Sequence, residues 1–369
     1  MTWRSIDYFM MAQALQQAKL GQNNTSPNPS VGCVLTQNDQ ILSMGHTQAA
    51  GGAHAEVMAL RAAGSAAQGA TAYVTLEPCS HFGKTPPCAN ALIAAGVTRV
   101  VTALLDPNPL VSGQGLQRLA QHGIIVEHGL MANEALTHHQ GFFSRMIRRR
   151  PWLRCKVAAS LDGQIALSNG QSKWITGPAA RADVQRVRAR SCAMITGIST
   201  ILHDDPQLNV RDFSVERQPI KVILDSQMRT PISAKILQQG SVLIVAAQDT
   251  DRRFALEAAG AEVILCPDQS GARIDLPALC GVLAARGCNE VTLEAGGTLV
   301  GAFFAAGLID ELWLYQAPVL LGQGQAMAQF SLGELSEKQI PTHIARRMVG
   351  DDQRIVMRFT DPVTDWLGK

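Results

Sequence analysis

The sequence predicts two α/β domains in tandem, each a sheet covered by helices. Three observations carry this. The chain has 369 residues, and at about 100–200 residues per domain two domains are expected. Strand-like apolar runs alternate with helical stretches along both halves, the pattern of a helix-covered sheet. Between the halves lies the basic segment Arg145-Met146-Ile147-Arg148-Arg149-Arg150-Pro151, a solvated connector closed by proline. The expected division is a first domain over 1–145, a linker over 146–152 and a second domain over 153–369.

In the first half, Ile6–Leu20 reads as a helix, with Gly21 just past its end. Val31–Thr36 and Ile41–Gly45 read as strands around the polar turn Gln37–Gln40. Gly51-Gly52-Ala53-His54 leads into an alanine-rich helix. A strand over Ala70–Leu76, a helix over Ala89–Ala95 and a strand over Val97–Leu105 follow, then a helix over Gly115–His122 and a strand over Ile124–Glu127. The second half repeats the alternation. Strands are expected at Leu153–Ala159, Ala193–Ile198, Ile220–Leu224, Ser241–Ala246, Glu262–Leu265, Glu290–Leu293 and Ile309–Gln316. Helices are expected at Ala179–Ala189, Arg253–Ala259, Leu276–Arg286 and Leu299–Ala306. His343–Val349 and Gln353–Phe359 close the chain as a strand pair.

Charge narrows the function. Lys and Arg total 32 against 30 Asp and Glu, a formal net charge of +2. The first 145 residues hold as many acids as bases. This is not the basic footprint of a protein that grips nucleic acid by its phosphates. No apolar run approaches the roughly 18–20 residues of a membrane helix. The first residues show no basic region followed by an apolar core, so no export signal and a cytoplasmic location are expected. In such a chain the eight cysteines are expected as free thiols plus one metal site.

That site is legible in the first half. His54-Ala55-Glu56 is followed by Pro78-Cys79 after a strand, then by Cys88 at a helix start. One imidazole and two thiolates leave a fourth position open, as a catalytic zinc requires. Zinc lowers the pKa of bound water to about 7, making hydroxide available near neutrality. Glu56 is close enough to serve that water without ligating the metal. His-x-Glu with Pro-Cys-x-x-Cys is the pattern of zinc nucleobase deaminases, but here eight residues separate the cysteines. Both still reach one ion if 80–87 loops outward. A closed structural zinc is the alternative if His81 supplies a fourth ligand.

The segment from Ala70 through Glu77-Pro78-Cys79-Ser80-His81-Phe82-Gly83-Lys84-Thr85-Pro86-Pro87-Cys88 resembles the bacterial bifunctional deaminase/reductases of riboflavin biosynthesis, including the lengthened cysteine spacing. Pro27-Asn28-Pro29-Ser30-Val31-Gly32 and Asp106-Pro107-Asn108-Pro109 resemble the same deaminase domain. The resemblance implies a cytidine-deaminase-like three-layer α/β/α domain. It implies zinc on His54, Cys79 and Cys88, with Glu56 as proton shuttle. Asn28, His81 and Lys84 would contact a diaminopyrimidinone ribosyl 5′-phosphate, and a lysine suits phosphate as a point charge.

The second half carries no Gly-x-Gly-x-x-Gly after its first strand. Its glycine-rich turn is Glu294-Ala295-Gly296-Gly297-Thr298, which lets backbone N–H groups approach a phosphate and reads equally well as a plain strand–helix turn. Lys156-Val157-Ala158-Ala159-Ser160-Leu161-Asp162-Gly163, Ser172-Lys173-Trp174-Ile175-Thr176, and Thr200 with Asp204-Asp205-Pro206 and Leu208 resemble the reductase domain of that family. A dihydrofolate-reductase-like α/β fold is thereby implied, with NADPH-dependent reduction of ribosyl to ribityl. Lys156, Asp204 and Glu294 would lie near the reacting sugar, Lys156 as candidate proton donor. Ser172, Arg188, Thr200, Leu208 and Arg211 match substrate-contact positions. Ala158, Trp174, Thr200, Ser226, Gly296, Gly297 and Thr298 match cofactor-contact positions. A homo-oligomer is implied as well. A nucleic-acid deaminase joined to a binding module is the competing reading. The neutral first half and sparse aromatics count against it. A zinc-stabilised scaffold would leave Glu56 and the Asp204 segment without roles.

Overall fold

The computed structural model describes residues 3–81, 86–109 and 111–367, the last stretch without the side chains of 363–365. The chain forms two compact units, Met1–Arg149 with Pro362–Lys369, and Arg150–Asp361.

The first unit runs α1 (Ser5–Leu20), β1 (Gly32–Gln37), β2 (Gln40–His46), α2 (Ala55–Ala63), β3 (Thr71–Val74), α3 (Cys88–Ala94), β4 (Arg99–Thr102), α4 (Gln114–Gln121), β5 (Ile125–His128) and α5 (Ala132–Arg148). The sheet order is β2-β1-β3-β4-β5. β1 is antiparallel to β2 and β3, while β3, β4 and β5 are parallel. Val34 and Leu35 of β1 and Val100 and Val101 of β4 have no exposed surface. Helix α1 lies directly on the sheet at Gly32, where a Cβ would stand 1.9 Å from the Ala14 carbonyl oxygen. The buried Asp7 carboxylate ties α1 to two strands. It accepts from the Tyr73 hydroxyl at 2.7 Å and from Arg99 Nη1 at 2.8 Å.

The second unit runs β6 (Trp152–Ala159), β7 (Gln164–Leu167), α6 (Pro178–Arg190), β8 (Ala193–Gly197), α7 (Ile198–Asp204), β9 (Ile220–Leu224), β10 (Val242–Ala246), α8 (Arg252–Ala258), β11 (Ala261–Leu265), α9 (Leu276–Ala285), β12 (Glu290–Leu293), α10 (Gly297–Ala305), β13 (Glu311–Gln316), β14 (Gly324–Ala326), β15 (His343–Val349) and β16 (Asp352–Arg358). The large sheet is ordered β11-β10-β9-β8-β12-β6-β13-β16-β15, and β14 pairs with β7. It is parallel from β11 to β13 and antiparallel across β13, β16 and β15. Strands β9, β10 and β12 are buried along nearly their whole lengths and rich in Val and Ile, as a sheet covered on both faces requires, while the edge strand β11 exposes Glu262 and Leu265. Beneath β6 the fully buried Arg154 donates to Glu290 and Glu311, both at 3.0 Å. Helix α11 (Pro362–Leu367) belongs to the first unit and packs on α5, with Trp366 stacked on Phe143 at 6.0 Å between ring centroids.

The expected strands and helices form within a few residues of their predicted ends. α5, α7, α11, β7 and β14 are additions. α5 runs through Arg148 and β6 starts at Trp152, so only Arg149–Pro151 lie outside regular structure where a linker over 146–152 is expected. Its buried face includes His139, Gln140 and Ser144, and those polar residues interrupt the apolar stripe that marks a helix. Among the described residues no helix is long and apolar enough to cross a membrane.

Candidate active sites

Each unit has a cleft that collects residues of catalytic type. In the first, His54 caps the N-terminus of α2 in extended conformation and Glu56 falls in the first turn. Cys79 follows β3, and Cys88 opens α3. His54 Nδ1 lies 3.2 Å from Cys88 Sγ and 3.6 Å from Cys79 Sγ. The three ligand atoms all lie within 4.8 Å of one another. Tetrahedral zinc, with Zn–S near 2.3 Å and Zn–N near 2.0–2.1 Å, sets ligand atoms roughly 3.5–3.8 Å apart. The donor set and spacing therefore fit the ion. The Cys88 backbone N–H donates to Cys79 Sγ at 3.3 Å. Hydrogen bonds from Cys88 and His54 draw the Cys79 thiol strongly down toward thiolate. His54 is pushed up, first by its contact with Cys79.

Glu56 is buried at 3% exposure. Burial first, then the neighbouring Cys79, pushes its carboxyl up to about 7. A group poised there can both accept and return a proton near neutrality. The cleft, about 360 Å³, is lined by Asn28, His54, Glu56, Cys79 and His81. Lys84 lies outside the described residues.

The cleft also uses residues that sequence reasoning left without roles. Glu77, Asp106, Asn108 and Arg145 line it. The buried Glu77 carboxylate accepts from the backbone N–H groups of Asp106 at 3.1 Å, Gly113 and Gly115 at 2.8 Å, and Leu116 at 3.3 Å. It stands two residues before Cys79, so it fixes the wall loop to the ligand strand. Asp106, at 7% exposure, has its carboxyl pushed up to about 7 by burial, and its Oδ1 accepts from Asn108 N at 2.8 Å. Both acids stand in motifs visible in the sequence, Glu77-Pro78-Cys79 and Asp106-Pro107-Asn108, but the loop contact spans 29–39 residues and has no local signature.

The second cleft, about 680 Å³, opens at the carboxyl ends of β6, β8 and β12, the usual ligand position in parallel sheets. It falls within the ~300–1,000 Å³ of small-molecule sites. Lys156, Asp204 and Glu294 all line it, as do Ser172, Thr200, Leu208 and Arg211. Ala158, Trp174 and Gly296 are on its wall too. Trp174 is 68% exposed, with the Arg181 guanidinium 4.5 Å from its ring centroid. An exposed indole and the open Gly296 turn, where a Cβ would meet nothing within 4 Å, leave room on this wall for a nicotinamide dinucleotide. Ser226, Gly297 and Thr298 are not among the lining residues. Ser226 offers its carbonyl to Ala247 and Gln248. A Cβ on Gly297 would lie 2.0 Å from the Ala326 carbonyl oxygen, which explains that glycine by packing.

Glu294 organises the charges here. Its Oε2 lies 3.1 Å from Lys156 Nζ. Arg188 grips both carboxylate oxygens at 2.9 Å and donates to the Asn209 carbonyl at 3.3 Å. Burial alone would raise Glu294, but Arg188 and Lys156 outweigh it and hold the carboxyl at about 2. Asp204 lies at the end of α7, 3.6 Å from Lys173 Nζ.

Two family models match the chain. The RibD C-terminal domain covers residues 151–349, and the cytidine and deoxycytidylate deaminase zinc-binding region covers 4–104. The chain is 47% identical over 329 residues to the riboflavin biosynthesis protein RibD of Escherichia coli K12, covering 86% of this chain and 89% of that one. It is 42% identical to the RibD of Haemophilus influenzae, covering 95% and 97%. Among solved structures, RibD of Acinetobacter baumannii superposes with a TM-score of 0.89 at 45% identity, covering 96% of this chain and 98% of that one. A Thermotoga maritima diaminohydroxyphosphoribosylaminopyrimidine deaminase/5-amino-6-(5-phosphoribosylamino)uracil reductase superposes with a TM-score of 0.83 at 28% identity, with the same coverage.

Proposed function

The chain belongs to the RibD family, the bifunctional deaminase/reductases of riboflavin biosynthesis, and on that premise we propose how its residues divide the two reactions. The observation that carries the first is the close triangle of His54 Nδ1, Cys79 Sγ and Cys88 Sγ beside buried Glu56.

His54, Cys79 and Cys88 would hold zinc, which when bound would acidify a water at neutral pH. Glu56 takes a proton from the attacking water at its carboxyl oxygen and delivers it to the departing exocyclic amine. Water is consumed and ammonia released from 2,5-diamino-6-(5-phosphoribosylamino)pyrimidin-4-one. Asn28 and His81 orient the pyrimidine, and Lys84 meets the phosphate.

In the second cleft NADPH, when bound, supplies hydride to C1′ of the opened ribosyl chain. Ala158, Trp174, Thr200 and Gly296, which line the cleft, hold it. Lys156 Nζ delivers the proton to the sugar oxygen, and Asp204 fixes the sugar hydroxyls. Glu294, held by Arg188, orients Lys156. Ser172 and Arg211 receive the sugar phosphate, with Leu208 on the same wall, giving 5-amino-6-(5-phosphoribitylamino)uracil. Arg188 acts through Glu294, because its fork already faces that carboxylate.

The boundary between activities falls after Arg149, with 150–361 as reductase. The six cysteines outside the metal cluster, all unpaired and buried, support a reducing, cytoplasmic setting. A homo-oligomer is supported by edge strand β15, whose Ile344 and Met348 expose 41% and 63% of their surface on one face of the strand. Zinc analysis with Asp204→Asn kinetics tests the assignment. We expect about one equivalent of zinc, intact ammonia release and a reductase kcat lowered at least tenfold. A zinc-free active deaminase, or normal Asp204→Asn reductase turnover, would overturn the corresponding half.

A further inference from the structure

The deaminase cleft must hold a substrate that carries a phosphate. Yet its walls include three carboxyl side chains, Glu56, Glu77 and Asp106. Among the described residues that line it, Arg145 alone carries a fixed positive charge. It comes from α5, the helix with no expected role in the site. Its Nη2 donates to the Pro27 carbonyl oxygen at 2.8 Å, which brings the guanidinium beside Asn28, the residue expected to contact substrate. The guanidinium carbon stands 5.7 Å from the centroid of the Phe142 ring, and Phe142 lines the same cleft one turn back on the helix. A ring on one side and a carbonyl on the other fix the fork at the cleft rim. An arginine so held is half-buried and always ionised, and its planar set of donors matches phosphate oxygens.

Resting on the deaminase reading above, we infer that Arg145 is a substrate-binding residue that recognises the 5′-phosphate of the ribosyl pyrimidine. It supplies a cation from the helix side, in addition to Lys84, whose contact is expected from the sequence. The bound class is then a pyrimidine ribosyl monophosphate rather than a free base or nucleoside. The contact selects for phosphate, whereas the Pro27 hydrogen bond alone would only brace the Asn28 loop.

The test compares ammonia release from the phosphorylated substrate and its dephosphorylated form in the full-length zinc enzyme. The measured quantity is the ratio of the two kcat/KM values. We expect that ratio to fall at least tenfold in Arg145→Ala and to be retained within about threefold in Arg145→Lys. Inorganic phosphate, used as a competing probe, should inhibit the wild-type deaminase and inhibit Arg145→Ala at least tenfold less. If both substrates weaken together and the ratio holds, Arg145 braces the loop and the inference fails. A lysine variant that folds, keeps zinc and loses the ratio as alanine does narrows recognition to the bidentate fork and still supports it. Should wild-type enzyme release ammonia from neither substrate, the deaminase reading itself fails, and the two failures are thereby separated.

Discussion

At the scale of single residues, the proposed deamination step rests on Glu56, whose carboxyl burial pushes up to about 7. Glu56→Gln keeps the shape and removes the proton carrier. Deamination should fall by roughly 10²–10⁴, the usual weight of general acid–base catalysis, while zinc content and reductase turnover stay at wild-type levels. Zinc loss in the variant would show that Glu56 holds the site together instead. In the reductase, Arg188→Met leaves the buried Glu294 paired with Lys156. Removing one member of a buried pair costs on the order of 3–5 kcal/mol. Thermal unfolding of the second domain should register that loss, and a reductase with unchanged stability and rate would rule out the clamp. The residues at this scale were the most legible ones. His54, Glu56, Cys79 and Cys88 sit in short motifs whose chemistry dictates their spacing. Arg188 shows the limit, because a sequence displays an arginine without its partner 106 residues away.

At the scale of elements, the wall of the deaminase cleft depends on a long-range carboxylate. Glu77 gathers four backbone N–H groups from 106–116 and stands beside Cys79. Glu77→Gln turns one acceptor oxygen into a donor facing those N–H groups. KM for the pyrimidine nucleotide should rise about tenfold with zinc retained, since each lost buried bond costs about 1–3 kcal/mol. An unchanged KM would assign Glu77 to stability alone. Most of the elements were readable, because apolar runs of period two and clear turn residues mark the strands. α5 and α11 were not. α5 buries His139, Gln140 and Ser144 along with its apolar residues, and α11 is one short turn-and-a-half that the tail composition does not announce. Their pairing is tertiary, as Trp366 meets Phe143 more than two hundred positions away in the chain.

Across the whole molecule, each of the two units carries its own hydrophobic core. Glu290 is buried between Arg154 and Arg190. Burial would raise its carboxyl, but Arg190 and Arg154 hold it at about 2, below its ordinary 4.5. A carboxylate depressed in the folded state stabilises above its unfolded value and loses that contribution as pH falls toward the folded one. The reductase unit should therefore weaken between about pH 4.5 and pH 2, and Glu290→Gln should be less stable at neutral pH and flatter through that window. Calorimetry across the range decides it, and an unshifted acid midpoint in the variant would count against the network. That two domains exist was legible from length and alternation. That the last residues, Pro362–Lys369, rejoin the first unit was not, because return of a chain terminus leaves no periodic trace.

The central claim is that one chain deaminates first and reduces second, at distinct sites. The most direct measurement follows ammonia and NADPH oxidation separately, supplying the diaminopyrimidinone ribosyl phosphate to wild type and to Glu56→Ala. Wild type should release ammonia without NADPH and oxidise NADPH when it is present. Glu56→Ala should do neither with that substrate, yet oxidise NADPH normally when given the deaminated product. Ammonia release by Glu56→Ala, or its failure to reduce the deaminated product, would contradict the account.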